Sequence, residues 1–498
     1  MDRRTFVRKV GVGIGSLPGF WLADNEAEAA PDEPAKNKAA GGSRNPSVSN
    51  PQRTPTYYKI KAYLDSIPSI DAHEHLRAFD QLPGYVETDR GRGMNLYGIW
   101  LGSYFGGIHP ITDWKPGEKF DKWWGRAKQD FDNVRATYFY RYMRLAFRDL
   151  YNIDFDHITD SQAAELDRRI FENYRNEKWL YHVLKKRTNI ALMICDRYWK
   201  RFDFHADYPF ELLTFNVTTL VWGFHPSEYF MGNHDGGIQS SFDDPYLYAH
   251  QRGLPMNSLD DYLALLDRMF VDAKAGDAVC LKTTLAYQRT LDFDNVTKEK
   301  AARVFGRSRS EVTPEAAKAF EDFIMWRITE LSAKYDMPFQ IHTGDARIQG
   351  SNPMLLVNLI EANPRTKFEL FHGGYPWVSE TGAIGRKFSK QVWINGVWLP
   401  TISYSTAKRA FNEWLEVMPS NRITWGGDDK NAEGIYGESE LSRCCWAEVL
   451  AEKLDRGELS ESDALRTGRQ IQRDNALELY PRLKGKLQTE EPDQVHGQ

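Results

Sequence analysis

Eight short apolar runs constrain this chain more than any other feature. They are Ser69–Leu76, Asn189–Asp196, Leu212–Val221, Ala278–Tyr287, Pro338–Thr343, Lys367–His372, Gln391–Val397 and Arg422–Gly427. Amphipathic segments such as Ser258–Ala275, Pro314–Tyr335, Asn352–Ala362 and Thr406–Val417 separate most of them. Strands alternating with helices demand a parallel sheet covered on its outer face, and eight strands are the number that closes a TIM-type (β/α)8 barrel. The chain of 498 residues is long enough to bury such a core and carry extensions. Residues 81–187 interrupt the alternation as a long, largely helical insertion after the first strand, rich in Trp, Tyr and Arg. An insertion there sits over the C-terminal mouth of a barrel. Glu438 to Tyr480 reads as two further helices, so the barrel region is expected over residues 55–485, followed by a flexible tail over 486–498.

Polar residues gather where these strands end. In "SIDAHEHLRAF", His73 and His75 are two positions apart, so on a strand they look the same way, with Asp71 beneath them. Lys282 lies in the fourth run, His342 ends the fifth, His372 the sixth, and Asp428 follows the eighth. Taken singly, each has an ordinary reading: a hydrogen-bonded core histidine, a buried ion-pair partner, or a tight turn at the paired glycines. Strand C-termini of one barrel all face one mouth, however, and six such positions over five strands are not an accident. Four histidines, an aspartate and a lysine suit zinc or another borderline divalent ion.

The pieces "DAHEHL", "LKTTLAYQR", "QIHTGD", "FHGGYP", "WGGDD" and "DNALELYP" resemble the amidohydrolase superfamily over about residues 55 to 481. The phrasing is most similar to its amidohydrolase-related branch with FluG/nodulin-like N-terminal domains, kin to mononuclear decarboxylases and uronate isomerase-type members. The resemblance implies His73, His75, His342 and Asp428 as ligands of a first metal, Asp428 also taking a proton from the attacking water. It implies that His372 either binds a second metal or polarises water or substrate, and that Lys282 is the lysine carbamylated in binuclear relatives. The "HGGYP" context is closer to mononuclear members, which favours one ion, most simply Zn²⁺, with two remaining compatible. Glu74 is expected to face away from the metal, and Asp429 to support it or cap the following helix.

The implied reaction is hydrolysis of a C–N or C–O bond in a small polar or acidic substrate. The alternatives are non-oxidative decarboxylation, uronate isomerisation and, with less support, a non-catalytic metal-binding module. Substrate contacts are expected from Arg197, His225, Arg289, Arg347 and Trp377, with Tyr375 beside it, which follow the strands in sequence. Arginines at a barrel mouth suit carboxylates through paired hydrogen bonds.

The first 29 residues pair Arg3 and Arg4 with a short Gly-rich apolar run and a small-x-small site at Ala27–Ala29. This resembles a twin-arginine export signal, with Asp2 where Ser or Thr is usual, and implies a periplasmic or otherwise exported protein. Residues 30–54 read as a disordered linker. The apolar run is too short to span a bilayer, so no stable membrane association is expected after processing. A net charge of −5 gives no footing for nucleic acid, while a homo-oligomer is left open. The four cysteines, Cys195, Cys280, Cys444 and Cys445, are too few and scattered for a disulfide framework.

Overall fold

The computed structural model describes residues 53–229 and 243–490; the export signal and most of the linker lie outside them. Eight parallel strands form one sheet in sequence order: β1 Ser69–Glu74, β2 Ile190–Cys195, β3 Glu211–Asn216, β4 Ala278–Thr283, β5 Phe339–Ile341, β6 Phe368–Leu370, β7 Val392–Asn395 and β8 Ile423–Thr424. Seven ladders join neighbours from β1 to β8, with registers such as Ile70↔Leu192, Lys282↔Gln340 and Glu369↔Trp393. The eighth seam is closed just beyond β8. Ala72 N–H donates to the Trp425 carbonyl (3.2 Å), Asp428 N–H to that of His73 (2.9 Å), and His75 N–H to that of Asp429 (2.9 Å). The barrel is thus closed by the same residues that carry the suspected ligands.

Several runs are shorter as strands than their apolar pattern suggested. The third and fourth break into tight turns over Thr218–Trp222 and Leu285–Tyr287 once they leave the sheet. The histidines of the fifth and sixth runs stand just past the last paired residue, where side chains are released into the mouth.

Outside the sheet lie helices α1 Pro55–Ser66, α2 Tyr138–Tyr151, α3 Leu259–Ala275, α4 Pro314–Tyr335, α5 Val378–Lys387, α6 Tyr404–Val417 and α7 Ala432–Asp455. Their ends follow from local chemistry. Ser258 and Asp261 form a reciprocal capping box at α3, and Thr313 caps α4 ahead of Pro314, whose missing N–H costs nothing in a first turn. α7 is buried nearly all round, because α1, the insertion helix α2 and α6 pack against it. The insertion is not wholly helical: Val86–Thr88 and Gly91–Gly93 pair as a small antiparallel hairpin. The C-terminal pair of helices begins earlier than expected, at Ala432, and Arg482–Glu490 continues as helix past residue 485.

The "DNALELYP" segment closes the barrel floor. Tyr480 is fully buried, donates to Glu369 inside the barrel and accepts from Gln340 Nε2 at 2.9 Å. Glu369 also accepts from Asn395 Nδ2 (3.0 Å) and Thr424 Oγ1 (2.5 Å), so its carboxylate is satisfied within the lumen. All four cysteines are buried and free. No helix among the described residues is long and apolar enough to cross a membrane.

Candidate metal centre

β1 delivers His73 and His75 to the C-terminal mouth, their rings 4.8 Å apart. Opposite them stands Asp428, whose Oδ1 lies 3.5 Å from His73 Nε2 and 3.0 Å from His75 Nε2. Its Oδ2 lies 3.7 Å from His372 Nδ1. His372 Nε2 and His342 Nδ1 are 2.9 Å apart, and Lys282 Nζ is 3.5 Å from His73 Nε2 and 3.7 Å above the Phe371 ring. The six strand-end residues are therefore linked contact by contact, and all are buried.

The backbone is bent to achieve this. His372 (φ 59°) and Asp428 (φ 93°) both occupy the left-handed region, which is unfavourable for side chains of this kind and concentrates at functional sites. Gly373 continues the turn at φ 55°, where a Cβ would meet Trp414 at 2.8 Å. Gly427 is required for another reason, since a Cβ there would lie 2.0 Å from Glu74 Oε1 at the β1–β8 seam.

Proton placement tests the fit of a cation. His75 Nδ1 lies 2.8 Å from the Asp196 carbonyl, which can only accept, so the ring proton sits on Nδ1. Its Nε2 then stands 3.0 Å from a carboxylate oxygen of Asp428. A cation between them would be shared by both atoms. His342 Nε2 is buried and has no hydrogen-bond partner. Burial, and then the Lys282 charge, hold His73 and His342 well below the usual histidine range; burial, then His342 and Lys282, do so for His372. The neutral imidazoles that metal ligation needs are thus favoured. Burial lowers the Lys282 ammonium to about 8, although Asp196 and Asp428 pull it upward. The donor set fits a divalent ion.

Asp196 escaped the sequence reading, although it ends the second apolar run. His73, His75 and Asp196 each bring a ligand atom within 4.8 Å of the others. Its carboxylate is also held by Thr214 Oγ1 (3.0 Å) and Asn216 Nδ2 (2.9 Å), while its carbonyl orients His75. Tyr104, from the insertion, donates to Asp428 Oδ1 at 2.8 Å. Around the opening, Tyr198 packs against His75, Tyr287 against His342 and Trp398 against His372.

The other expected residues make their contacts with partners outside this cluster. Arg197 donates to the His205 carbonyl and pairs with Asp203 (3.4 Å) and Asp207 (3.5 Å). Arg289 is held by Glu321 (2.8 Å) and Asp322 (2.6 Å) of α4. Both are engaged by neighbouring carboxylates. Arg347 donates to the Gln288 carbonyl at 2.6 Å, His225 contacts Ser227 Oγ at 2.7 Å, and Trp377 precedes α5. Glu74 turns away from the ligands and accepts from Asp429 N–H (2.6 Å). The cap of α7 is Asn431, not Asp429; Asp429 accepts from Tyr142 (2.8 Å) and from Lys430 N–H (2.6 Å).

Residues 273–482 match the Amidohydro_2 family model, described as amidohydrolase. Protein fluG of Emericella nidulans is 27% identical over 231 residues, which are 44% of this chain and 26% of fluG, so the match spans about a quarter of that protein. The fold is shared with uronate isomerase from Thermotoga maritima (TM-score 0.63, 13% identity, covering 85% of this chain and 97% of that one). It is shared likewise with glucuronate isomerase from Caulobacter crescentus (TM-score 0.67, 13% identity, 90% and 97%).

Proposed function

We propose that this barrel, with its amidohydrolase-type C-terminal half, is a metal-dependent hydrolase acting on a C–N or C–O bond of a small polar or acidic molecule. The ion, Zn²⁺ by its nitrogen-rich donors, is held by His73, His75, His342 and Asp428. The reading rests on one observation: His75 Nε2 and an Asp428 carboxylate oxygen converge to 3.0 Å, with His73 Nε2 3.5 Å from that same oxygen, an arrangement that a shared cation suits.

When bound, a divalent ion polarises the substrate carbonyl and acidifies water at the site. Asp428 Oδ1 is engaged by Tyr104 and faces two imidazoles, which leaves Oδ2 to take the proton of the attacking water. The C–N or C–O bond then breaks, and the same oxygen returns that proton to the departing nitrogen or oxygen. Neutral His372 places its Nδ1 3.7 Å from Oδ2, where an N–H faces the reacting bond and supports the negative charge that develops on the substrate oxygen. Metal analysis of the purified protein tests the reading. A divalent ion lost in His73→Ala and Asp428→Ala, together with activity, is expected; metal-free protein whose activity survives both substitutions refutes it.

The Tyr104–Asp428 pair also suits a second reading, in which a proton moves between neighbouring carbons of a uronate or a carboxylate leaves an aromatic acid as CO₂. A substrate panel scored for hydrolysis products, sugar isomers and CO₂ separates these. The same proposal includes export through residues 1–29 to the periplasm. A reporter fusion of that segment should lose transport when Arg3 and Arg4 become Lys.

A further inference from the structure

Beside the metal mouth lies a cavity of about 400 Å³, a size suited to a small ligand. Loops after three consecutive strands build it: Trp222 after β3, Gln288 to Thr290 after β4, and Arg347 after β5, with Arg309 entering from the approach to α4 and Lys318 from its first turns. The cavity is continuous in chain with the metal centre. Tyr287, whose ring stands 4.5 Å from that of His342, is followed directly by the lining residue Gln288. The loops are also stitched together, because Arg347 N–H donates to the Ala286 carbonyl (3.2 Å) and its guanidinium to that of Gln288 (2.6 Å).

Its charge is unbalanced. Four cationic side chains meet two carboxylates, Glu228 and Glu321. Arg289 is committed to Glu321 and Asp322, and Lys318 to Asp294 and Asp322. Arg309 and Arg347 have no carboxylate within 4.0 Å among the described residues. These two guanidinium groups lie outside any close ion pair, although Glu228 and Glu321 attract Arg309 across the cavity, and with the indole of Trp222 they form the donor set that binds a carboxylate or phosphate in paired hydrogen bonds beside an apolar stem.

We propose that this cavity is an oxyanion subsite, in which Arg309 and Arg347 hold the far, negatively charged end of an elongated substrate whose reacting bond lies at the metal ligands. The substrate class is therefore a small molecule with a terminal carboxylate or phosphate. This assignment rests on the metal-enzyme reading for its purpose, but not for its binding chemistry.

Titration calorimetry on the metal-loaded protein, with glutarate and separately with inorganic phosphate, tests it. At least one should bind, and its dissociation constant should rise about tenfold or more in Arg309→Gln and in Arg347→Gln. Glutarate binding alone identifies a carboxylate end, and phosphate binding alone a phosphate end. Binding should survive chelation of the metal; protein that takes up no divalent ion when offered one, yet binds the anion, defeats the hydrolase reading and leaves the subsite standing. No binding of either anion, or binding unchanged in both variants with native circular dichroism, overturns the subsite.

Discussion

Nε2 of His372 lies 2.9 Å from Nδ1 of His342, and both rings are fully enclosed. Two neutral imidazoles at that distance share a single proton. If His342 ligates through its otherwise unpartnered Nε2, its proton sits on Nδ1 and is donated to His372. His372 then carries its own proton on Nδ1, toward Asp428, and retains no lone pair for a second ion.

With His372 protonated in this way, the site should hold one divalent ion per chain. Elemental analysis of purified protein should give that stoichiometry, and His372→Asn should keep the ion while lowering kcat by about 100-fold, as for loss of a positioned proton donor. Two ions per chain would refute the tautomer assignment.

Tyr104→Phe should leave metal content intact and slow turnover. The substitution removes the hydroxyl that donates to Asp428 Oδ1 at 2.8 Å, a bond to a charged group worth about 1.5–3 kcal/mol. That corresponds to roughly a tenfold to hundredfold fall in kcat/KM. Wild-type rates in Tyr104→Phe would remove Tyr104 from the site's machinery.

These two cases show what a sequence can and cannot carry. His73, His75, His342, His372 and Asp428 are legible because a parallel barrel sends every strand end to one mouth, so order along the chain becomes proximity in space. Asp196 was equally legible by that rule and was passed over for want of a motif. Tyr104 could not be found, because it reaches Asp428 from inside an insertion whose path no periodicity records. The partners of Arg289 were hidden for a related reason, since Glu321 and Asp322, some 30 positions on, become its neighbours only after folding. Strand lengths were overestimated because apolar residues continue into buried turns, as in Thr218–Trp222.

The anchoring of the insertion makes its own prediction. Glu433, at the start of α7, accepts from Tyr151 (2.5 Å), Tyr174 (2.5 Å) and Trp179 Nε1 (3.2 Å), all from the insertion. Glu433→Ala strands three donors, two of them deeply buried, and should cost about 3 kcal/mol. Glu433→Gln keeps an acceptor and should cost less than half as much. Urea unfolding of both variants checks this, and a loss below about 1 kcal/mol in Glu433→Ala would show that apolar packing alone holds the insertion.

Stability should also depend on pH through Glu211. Its Oε2 accepts from the backbone of Asp207 (2.8 Å) and Tyr208 (3.2 Å), while Oε1 is buried without a partner. Burial raises this carboxyl from 4.5 to about 7, against the pull of Arg197. A group whose folded pKa is raised stabilises the fold fully below its unfolded pKa, and that contribution is lost as pH rises through the folded value. The loss accumulates between pH 4.5 and about 7 and amounts to roughly 3 kcal/mol. Glu211→Gln cannot ionise, so the difference in urea midpoint between variant and wild type should widen in the variant's favour from about pH 5 to about pH 8. A difference that stays constant across that range would mean that Glu211 titrates normally and that water or Arg197 compensates its burial.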